Sequence, residues 1–198
     1  MQNLRKSLYA ALALMLVTAC EPPRGSKDNP VGTPALLAYA APGTQIVLEN
    51  KVNDIVGRTR ITAGEARGPR GAYVGEDGKP GGFYPGCWGC GGDRIIDEEA
   101  YRRLWPLEKG KRAVFERISP NGDKARVAIT VAGNERITTP AGTFDTWILV
   151  GRVEHLTGPV YSAQVRAWWA PGPGWVVRAR GGDSNGSAFS SEVVEFVR

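Results

Sequence analysis

The residue with the clearest chemical setting in this chain is Cys20, one of its three cysteines. It closes an apolar run over residues 8–19, and Arg5 and Lys6 come just before that run. A positive segment, a short apolar segment and small residues at the end are the parts of a secretory signal peptide. The sequence therefore predicts a signal peptide over residues 1–19, with a reactive thiol directly after it.

The stretch Val-Thr-Ala-Cys at residues 17–20 resembles the lipobox of bacterial lipoproteins. The resemblance implies that Cys20 is acylated, becomes the first residue of the mature chain and anchors it in a membrane, facing the periplasm. By the sorting rule of that class, Glu21 favours the outer over the inner membrane. An uncleaved anchor is the alternative, but a helix over residues 8–19 is about 18 Å long, against ~30 Å of hydrocarbon. Length therefore favours cleavage.

Cys87 and Cys90 form a Cys-x-x-Cys pair inside a glycine-rich segment, residues 75–93. Glycine raises the entropic cost of ordering a loop, and a disulfide is the default state of such a pair in an oxidising periplasm. Thiol–disulfide exchange typically requires the first cysteine at a helix N-terminus, and a zinc site requires about four ligands. Covalent haem attachment requires a histidine directly after the second cysteine, where this chain has Gly91. We predict a structural disulfide without metal or cofactor, and keep thiol–disulfide exchange as the alternative.

Ser184 stands in a Gly-x-Ser-x-Gly sequence at residues 182–186. A hydrolase nucleophile of this type joins a strand to a helix, and its histidine comes later in the chain. His155, the only histidine, comes earlier, and the Asn-Gly within 182–186 is typical of a hairpin turn. We therefore predict a turn rather than a catalytic serine. We interpret His155, beside Glu154, as a surface residue, with a pH-sensitive contact as the alternative.

The net charge of the chain says little about which partners it binds. The net charge is +5, and two of the cations, Arg5 and Lys6, belong to the predicted signal peptide. Nucleic-acid binding calls for a clustered basic face, whereas these arginines are scattered along predicted strands. We predict no nucleic-acid partner and interpret the arginines as solvated strand faces, with contacts to anionic lipid headgroups as the alternative.

The pattern of apolar residues predicts a mainly β protein. Residues 20–33 read as a flexible tether and residues 34–198 as one domain long enough to bury a core. Apolar and polar residues alternate over 124–131, as in a strand with one wet face. The predicted strands are 45–49, 55–62, 111–118, 124–131, 144–155, 160–169, 175–180 and 187–197, with breaks at 64–71 and 75–93. Sequential turns predict a curved antiparallel sheet, as an open or half barrel.

One short helix is predicted after Asp97. The Asp97 side chain can cap it, Glu98 and Glu99 complement the positive helix start, and Pro106 ends it. Capping explains these three acids better than a metal site, because their spacing does not converge on one point.

Trp168 is the candidate contact residue. On the predicted strand 160–169, Trp169 points to the apolar face, while Trp168 shares the other face with Gln164 and Arg166. An exposed tryptophan indicates a ligand or partner contact, whereas strand twist or a bulge would bury it.

Three patches in this order resemble the TapB-like bacterial envelope proteins grouped as domain of unknown function 3108. They are LWPLEKGK at 104–111, TPAGTFD at 139–145 and WWAPGPGWVV at 168–177. The resemblance implies an open, curved sheet like those of the LolA and LppX lipid carriers, with a hydrophobic groove and no transferable catalytic residue. The sequence thus predicts a non-enzymatic, membrane-anchored periplasmic lipoprotein that binds a lipid or an envelope protein. The alternative is an enzyme, acting through thiol–disulfide exchange at Cys87 and Cys90 or hydrolysis at Ser184.

Overall fold

A computed structural model of the chain describes residues 33–87, 90, 92, 94–158 and 161–197. The predicted signal peptide, the candidate lipidation site Cys20 and the predicted tether up to residue 32 lie outside the described residues.

The described residues form one antiparallel sheet of eleven strands and one short helix. The strands are β1 (Gln45–Val52), β2 (Ile55–Arg67), β3 (Arg70–Gly75), β4 (Pro80–Phe83), β5 (Arg94–Ile95), β6 (Arg112–Ile118), β7 (Lys124–Thr139), β8 (Gly142–His155), β9 (Ser162–Ala170), β10 (Trp175–Asp183) and β11 (Ala188–Val197), and the helix is α1 (Glu98–Arg102). Their order across the sheet is β4-β3-β2-β1-β11-β10-β9-β8-β7-β6-β5, so β4 and β5 are edges and the sheet does not close into a barrel. The predicted fold class is confirmed.

The alternation predicted for residues 124–131 is present in β7. Ala125, Val127, Ile129 and Val131 are buried, and the residues between them are not. The strand does not stop at 131 as predicted. A bulge between Val131 and Gly133 shifts the register against β8, and pairing then continues to Thr139. A bulge inserts a residue without ending the ladder, which period-two reasoning does not anticipate.

The predicted break at residues 64–71 is wrong, and the first half of the predicted loop at 75–93 contains a strand. β2 continues to Arg67, turns at Gly68 (φ +60°), and is followed by β3 and β4. The glycines serve packing here. Gly71 faces the ring of Phe83 and Gly81 the ring of Tyr73 on the paired strand, where a Cβ atom would overlap the ring. Glycine in a strand thus marks close approach by a neighbour.

The predicted helix start is confirmed. Asp97 Oδ1 accepts a hydrogen bond from the Ala100 amide at 2.9 Å, so the aspartate caps α1. Ala100 and Tyr101 are its buried residues, and they hold the helix against the sheet. α1 spans five residues, and nowhere in the described part of the chain is there a helix with the length and apolarity to cross a bilayer.

The core consists of two clusters. The first cluster includes Tyr101, Leu149 and Trp169 and lies between α1 and the middle strands of the sheet. The second cluster includes Ile61 and Trp175. Phe83 of β4 packs against both clusters, which requires the sheet to curve so that β4 approaches strands remote from it in the sheet order.

Candidate functional site, an apolar cavity under the glycine-rich segment

A cavity of about 470 Å³ lies where the two clusters meet. Its walls come from seven strands that are consecutive in the sheet, from β4 through β1 and β11 to β9, and residues 84–87 also line it. The lining residues are Leu48, Asn50, Thr59, Ile61, Tyr73, Gly75, Gly82, Phe83, Tyr84, Gly86, Cys87, Ala167, Trp175, Val176 and Ser191. This volume is within the range of small-molecule sites, about 300–1,000 Å³.

The described lining carries no charged side chain. Most of it is aliphatic or aromatic, with Phe83 and Trp175 in contact at a ring-centroid distance of 4.2 Å. Desolvation by burial raises the pKa of the Tyr84 hydroxyl, with a smaller contribution from Glu98, so this phenol stays neutral. A cavity of this kind stabilises an uncharged apolar guest, because burial of apolar surface contributes about 25 cal/mol per Å².

One end of the cavity is polar. Asn50 on β1 lies directly opposite Ser191 on β11, and the Asn50 amide donates to Thr59 Oγ1 of β2 at 3.3 Å. These side chains can donate and accept hydrogen bonds, so a guest could place a neutral polar group at this end. The arrangement suits a molecule with one long apolar part and one small polar part.

Residues 84–87 form a roof over the cavity, and two contacts fix that roof to the first cluster. Tyr101 of α1 donates its hydroxyl to the Pro85 carbonyl oxygen at 2.9 Å in a buried position. Gly86 has φ +80° and lies so close to Leu149 that a Cβ atom would stand 2.8 Å from a Leu149 methyl group. Only glycine satisfies both the backbone conformation and the space.

The structure contains the predicted disulfide between Cys87 and Cys90. Cys87 is 6% exposed and lines the cavity, and Cys90 is fully buried. The disulfide thus closes the end of the roof. Thiol–disulfide exchange requires a thiolate to reach one of the sulfurs, and this burial disfavours such access.

The prediction that Trp168 is exposed on the polar face of its strand is wrong, because the tryptophan is only 8% exposed. Its Nε1 donates to Glu135 Oε1 at 2.5 Å, and the guanidinium groups of Arg166 and Arg178 lie 5.4 and 6.0 Å from its ring centroid. A bulge in β10 between Val176 and Arg178 shifts the register beside this tryptophan. The alternative interpretation, that twist or a bulge buries Trp168, is confirmed. Trp168 does not line the cavity.

Gln164 and Arg166, the two residues predicted to share the face of Trp168, are exposed there. They lie on the outer side of β9, whereas Ala167 of the same strand lines the cavity. The structure therefore separates these predicted contact residues from the cavity.

Ser184 lies in the turn between β10 and β11, as predicted. The Gly186 amide donates to the Asp183 carbonyl oxygen at 3.1 Å, and Gly186 has φ +86°. Ser184 Oγ accepts from the Ser162 amide at 3.1 Å. Strand leads to strand here, so the serine lacks the strand-to-helix setting of a hydrolase nucleophile.

His155 ends β8 and stacks on Tyr161, with ring centroids 3.9 Å apart. Desolvation by burial lowers the pKa of His155, and Arg117 lowers it further, while Asp123 raises it. Neither ring nitrogen has a hydrogen-bond partner among the described residues. The side chain is partly buried rather than on the open surface, which corrects the sequence interpretation.

In the described part of the chain, no group of three or more His, Cys, Asp or Glu side chains is placed to hold a metal ion. The family resemblance implied a hydrophobic groove, but of its lining residues sequence reasoning singled out only Cys87, because the lining comes from seven strands. The available signal was the presence of Tyr73 and Phe83 in a segment otherwise rich in glycine, which here marks ring-on-glycine packing.

Comparison with known proteins supports the fold. No family model matches the chain, and no curated protein is similar to it in sequence. The structure resembles that of the hypothetical lipoprotein YmcC from Escherichia coli (K12), at 13% identity over 80% of this chain and 86% of that one, with a TM-score of 0.50. It also resembles a Bacteroides fragilis NCTC 9343 protein described as exported with a YmcC-like fold, at 12% identity over 83% of this chain and 100% of that one, with a TM-score of 0.51. At these identities the likeness concerns the fold.

Proposed function

We propose that this chain is a non-enzymatic lipoprotein of the bacterial envelope, anchored through acyl chains on Cys20, which holds an acyl chain of a lipid in its cavity. The observation that carries the proposal is the 470 Å³ cavity with an uncharged, mainly apolar lining. A hydrocarbon chain matches that lining, and the polar end at Asn50 and Ser191 matches an ester or hydroxyl group.

The location rests on residues 17–20 and their resemblance to a lipobox. Two proteins of similar fold, described as a lipoprotein and as exported, support an envelope location. Glu21 favours the outer membrane within this proposal. The resemblance to TapB-like proteins and to LolA and LppX agrees with a lipid guest.

The alternative function, thiol–disulfide exchange, has less support. Both cysteines are buried, and among the described residues no helix begins at Cys87. An envelope protein inserting an apolar side chain is the other guest that the cavity could accept, and the experiment below separates it from a lipid.

The test is to purify the full chain from native membranes and identify bound molecules by native mass spectrometry. Binding of palmitate labelled with a fluorescent nitrobenzoxadiazole group is then measured by titration. Ile61→Trp places a large ring in the cavity, and we expect at least about tenfold weaker probe binding because the apolar volume is occupied. Val74→Trp is the matched control, because Val74 is on the neighbouring strand, exposed and outside the lining.

Retained lipid and a selective loss in Ile61→Trp would support the proposal. No co-purified lipid together with equal probe binding by both variants would contradict it. A co-purified protein whose binding is lost in Ile61→Trp, without any lipid, would replace the lipid by a protein guest.

A further inference from the structure

The outer face of the sheet carries a continuous row of directly opposed residues that runs from β6 to β1. In strand order the row is Arg112, Thr130, Val150, Arg166, Arg180, Ser190 and Lys51. Four of its seven members are cations and none is an acid. Directly opposed residues share one face of a sheet, so the positive charges project to the same side.

The adjacent row adds a fifth cation. Arg152 lies opposite Ala128 on one side and Gln164 on the other, and this row also contains no acid. We call Arg112, Arg152, Arg166 and Arg180 the arginine face. All four side chains are exposed.

The acids of this side of the sheet lie in the flanking rows, beside other cations. Glu116 is 4.0 Å from Arg126, and Glu192 accepts a hydrogen bond from Arg178 at 2.7 Å. Glu154 is directly opposite Arg126. Within the described residues, no ion pair reaches Arg112, Arg152 or Arg180, so the positive charge of these two rows is not neutralised internally.

This arrangement opposes folding slightly. Arg166 and Arg180 are directly opposite each other, and like charges in that position destabilise a sheet. The strands are held by their buried inner residues and do not need these arginines. The two positive rows therefore contribute little to the stability of the sheet and are placed to bind an external anion.

The face also contains a depression lined in part by arginines. A shallow depression of about 610 Å³ is lined by Arg112, Arg126, Arg152 and Gln164, with Asp183 and Glu154 also among its lining residues. Guanidinium groups bind phosphate oxygens in a bidentate manner. Val114, 43% exposed beside Arg112 and Arg126, offers an apolar contact of the kind found at lipid surfaces.

We propose that the arginine face docks the domain on an anionic phospholipid surface. The predicted tether of residues 20–33 would reach about 45–50 Å when extended, enough for the domain to lie on the membrane that anchors it. The docking uses the outer side of the sheet and is independent of the cavity on the inner side.

The test uses the predicted mature chain, residues 20–198, carrying Cys20→Ser, so that neither an acyl anchor nor the apolar signal peptide contributes. Sedimentation with phosphatidylglycerol–phosphatidylcholine vesicles is compared with sedimentation with phosphatidylcholine vesicles alone. We expect binding that depends on phosphatidylglycerol and weakens with added salt, because salt screens exposed charges. The triple variant Arg112→Gln, Arg152→Gln, Arg180→Gln should lower the partition onto the anionic vesicles about tenfold or more.

The matched control is Arg67→Gln, Arg103→Gln, Lys109→Gln, which removes the same charge from exposed positions outside the two rows. Near-parental binding by this control would support the arginine face. Equal losses in both triple variants, or no preference of the parent chain for anionic vesicles, would overturn the proposal. Ile61→Trp should bind these vesicles like the parent chain, so failure of the cavity proposal and failure of this one are distinguishable.

Discussion

The half of the sheet formed by β6–β8 is filled, whereas the half formed by β1–β4 borders a cavity. Val127 and Leu149 are fully buried with Tyr101 of α1 in the same cluster. The cover on the other side is the glycine-rich hairpin of β3 and β4 and the roof that follows it. β6 and β7 bury every second residue, whereas β1 and β3 do not. The difference teaches that the segment packed over the sheet decides whether the space beneath it is filled. Helix α1 supplies side chains that fill this space, whereas glycines supply none.

The largest expected effect is in the filled half. Trp169 is fully buried in the first cluster, and Trp169→Ala should lower the free energy of unfolding by about 3–5 kcal/mol, because the transfer energy is lost and a void is left. Urea denaturation followed by circular dichroism measures this. The control Val114→Ala on the exposed face should change stability by no more than about 0.5 kcal/mol. A similar small change for Trp169→Ala would show that this half is not tightly packed.

The roof disulfide gives the next effect. Replacing both Cys87 and Cys90 by alanine should lower the free energy of unfolding by roughly 2 kcal/mol, because the unfolded chain regains the freedom that so short a loop removes. Labelled palmitate should bind more weakly as well, since Cys87 lines the cavity. The double alanine variant is compared with the oxidised and the chemically reduced parent. Unchanged stability would mean that the contacts of Tyr101 and Gly86 hold the roof in place without the disulfide.

A pair of alanines tests the comparison directly. Ala125 lies in the filled half, and Ala125→Leu should cost about 1–3 kcal/mol through overpacking. Ala167 lines the cavity, and Ala167→Leu should change stability by less than about 0.5 kcal/mol while weakening probe binding. Both are measured by urea denaturation. Equal costs at the two positions would mean that the cavity has no room for side chains.

The smallest expected effect concerns pH. Burial and Arg117 lower the pKa of His155 in the folded state below the value of about 6.5 that it has when unfolded. Below that pH the unfolded chain therefore binds more protons than the folded chain, and stability falls as the pH drops through about 6.5. His155→Gln should flatten this part of the stability curve, measured as urea midpoints between pH 5 and 8. An identical slope in the variant would assign the dependence to other groups.

Local sequence signals predicted the elements where each residue acts through its neighbours in the chain. Asp97 caps α1, the Asn-Gly in residues 182–186 makes a hairpin, and the alternation in β7 marks its wet face. They were wrong where residues distant in sequence decide. The predicted break at 64–71 contains the turn between two paired strands, and Gly71 in it packs under the Phe83 ring of the next strand. Trp168 is buried, because a bulge in β10 lies beside it and Glu135 of β7 accepts a hydrogen bond from its indole nitrogen.

The sequence by itself determined the class of fold and the order of the hairpins from β6 to β11, since alternation and turns act within a few residues of each other. It also carries the prediction of an acylated Cys20, which stays a prediction. Only the tertiary structure decided where the cavity lies and which residues line it, because its walls meet through the curvature of the sheet. It likewise decided that scattered arginines share one face, because strand register aligns residues that lie far apart along the chain.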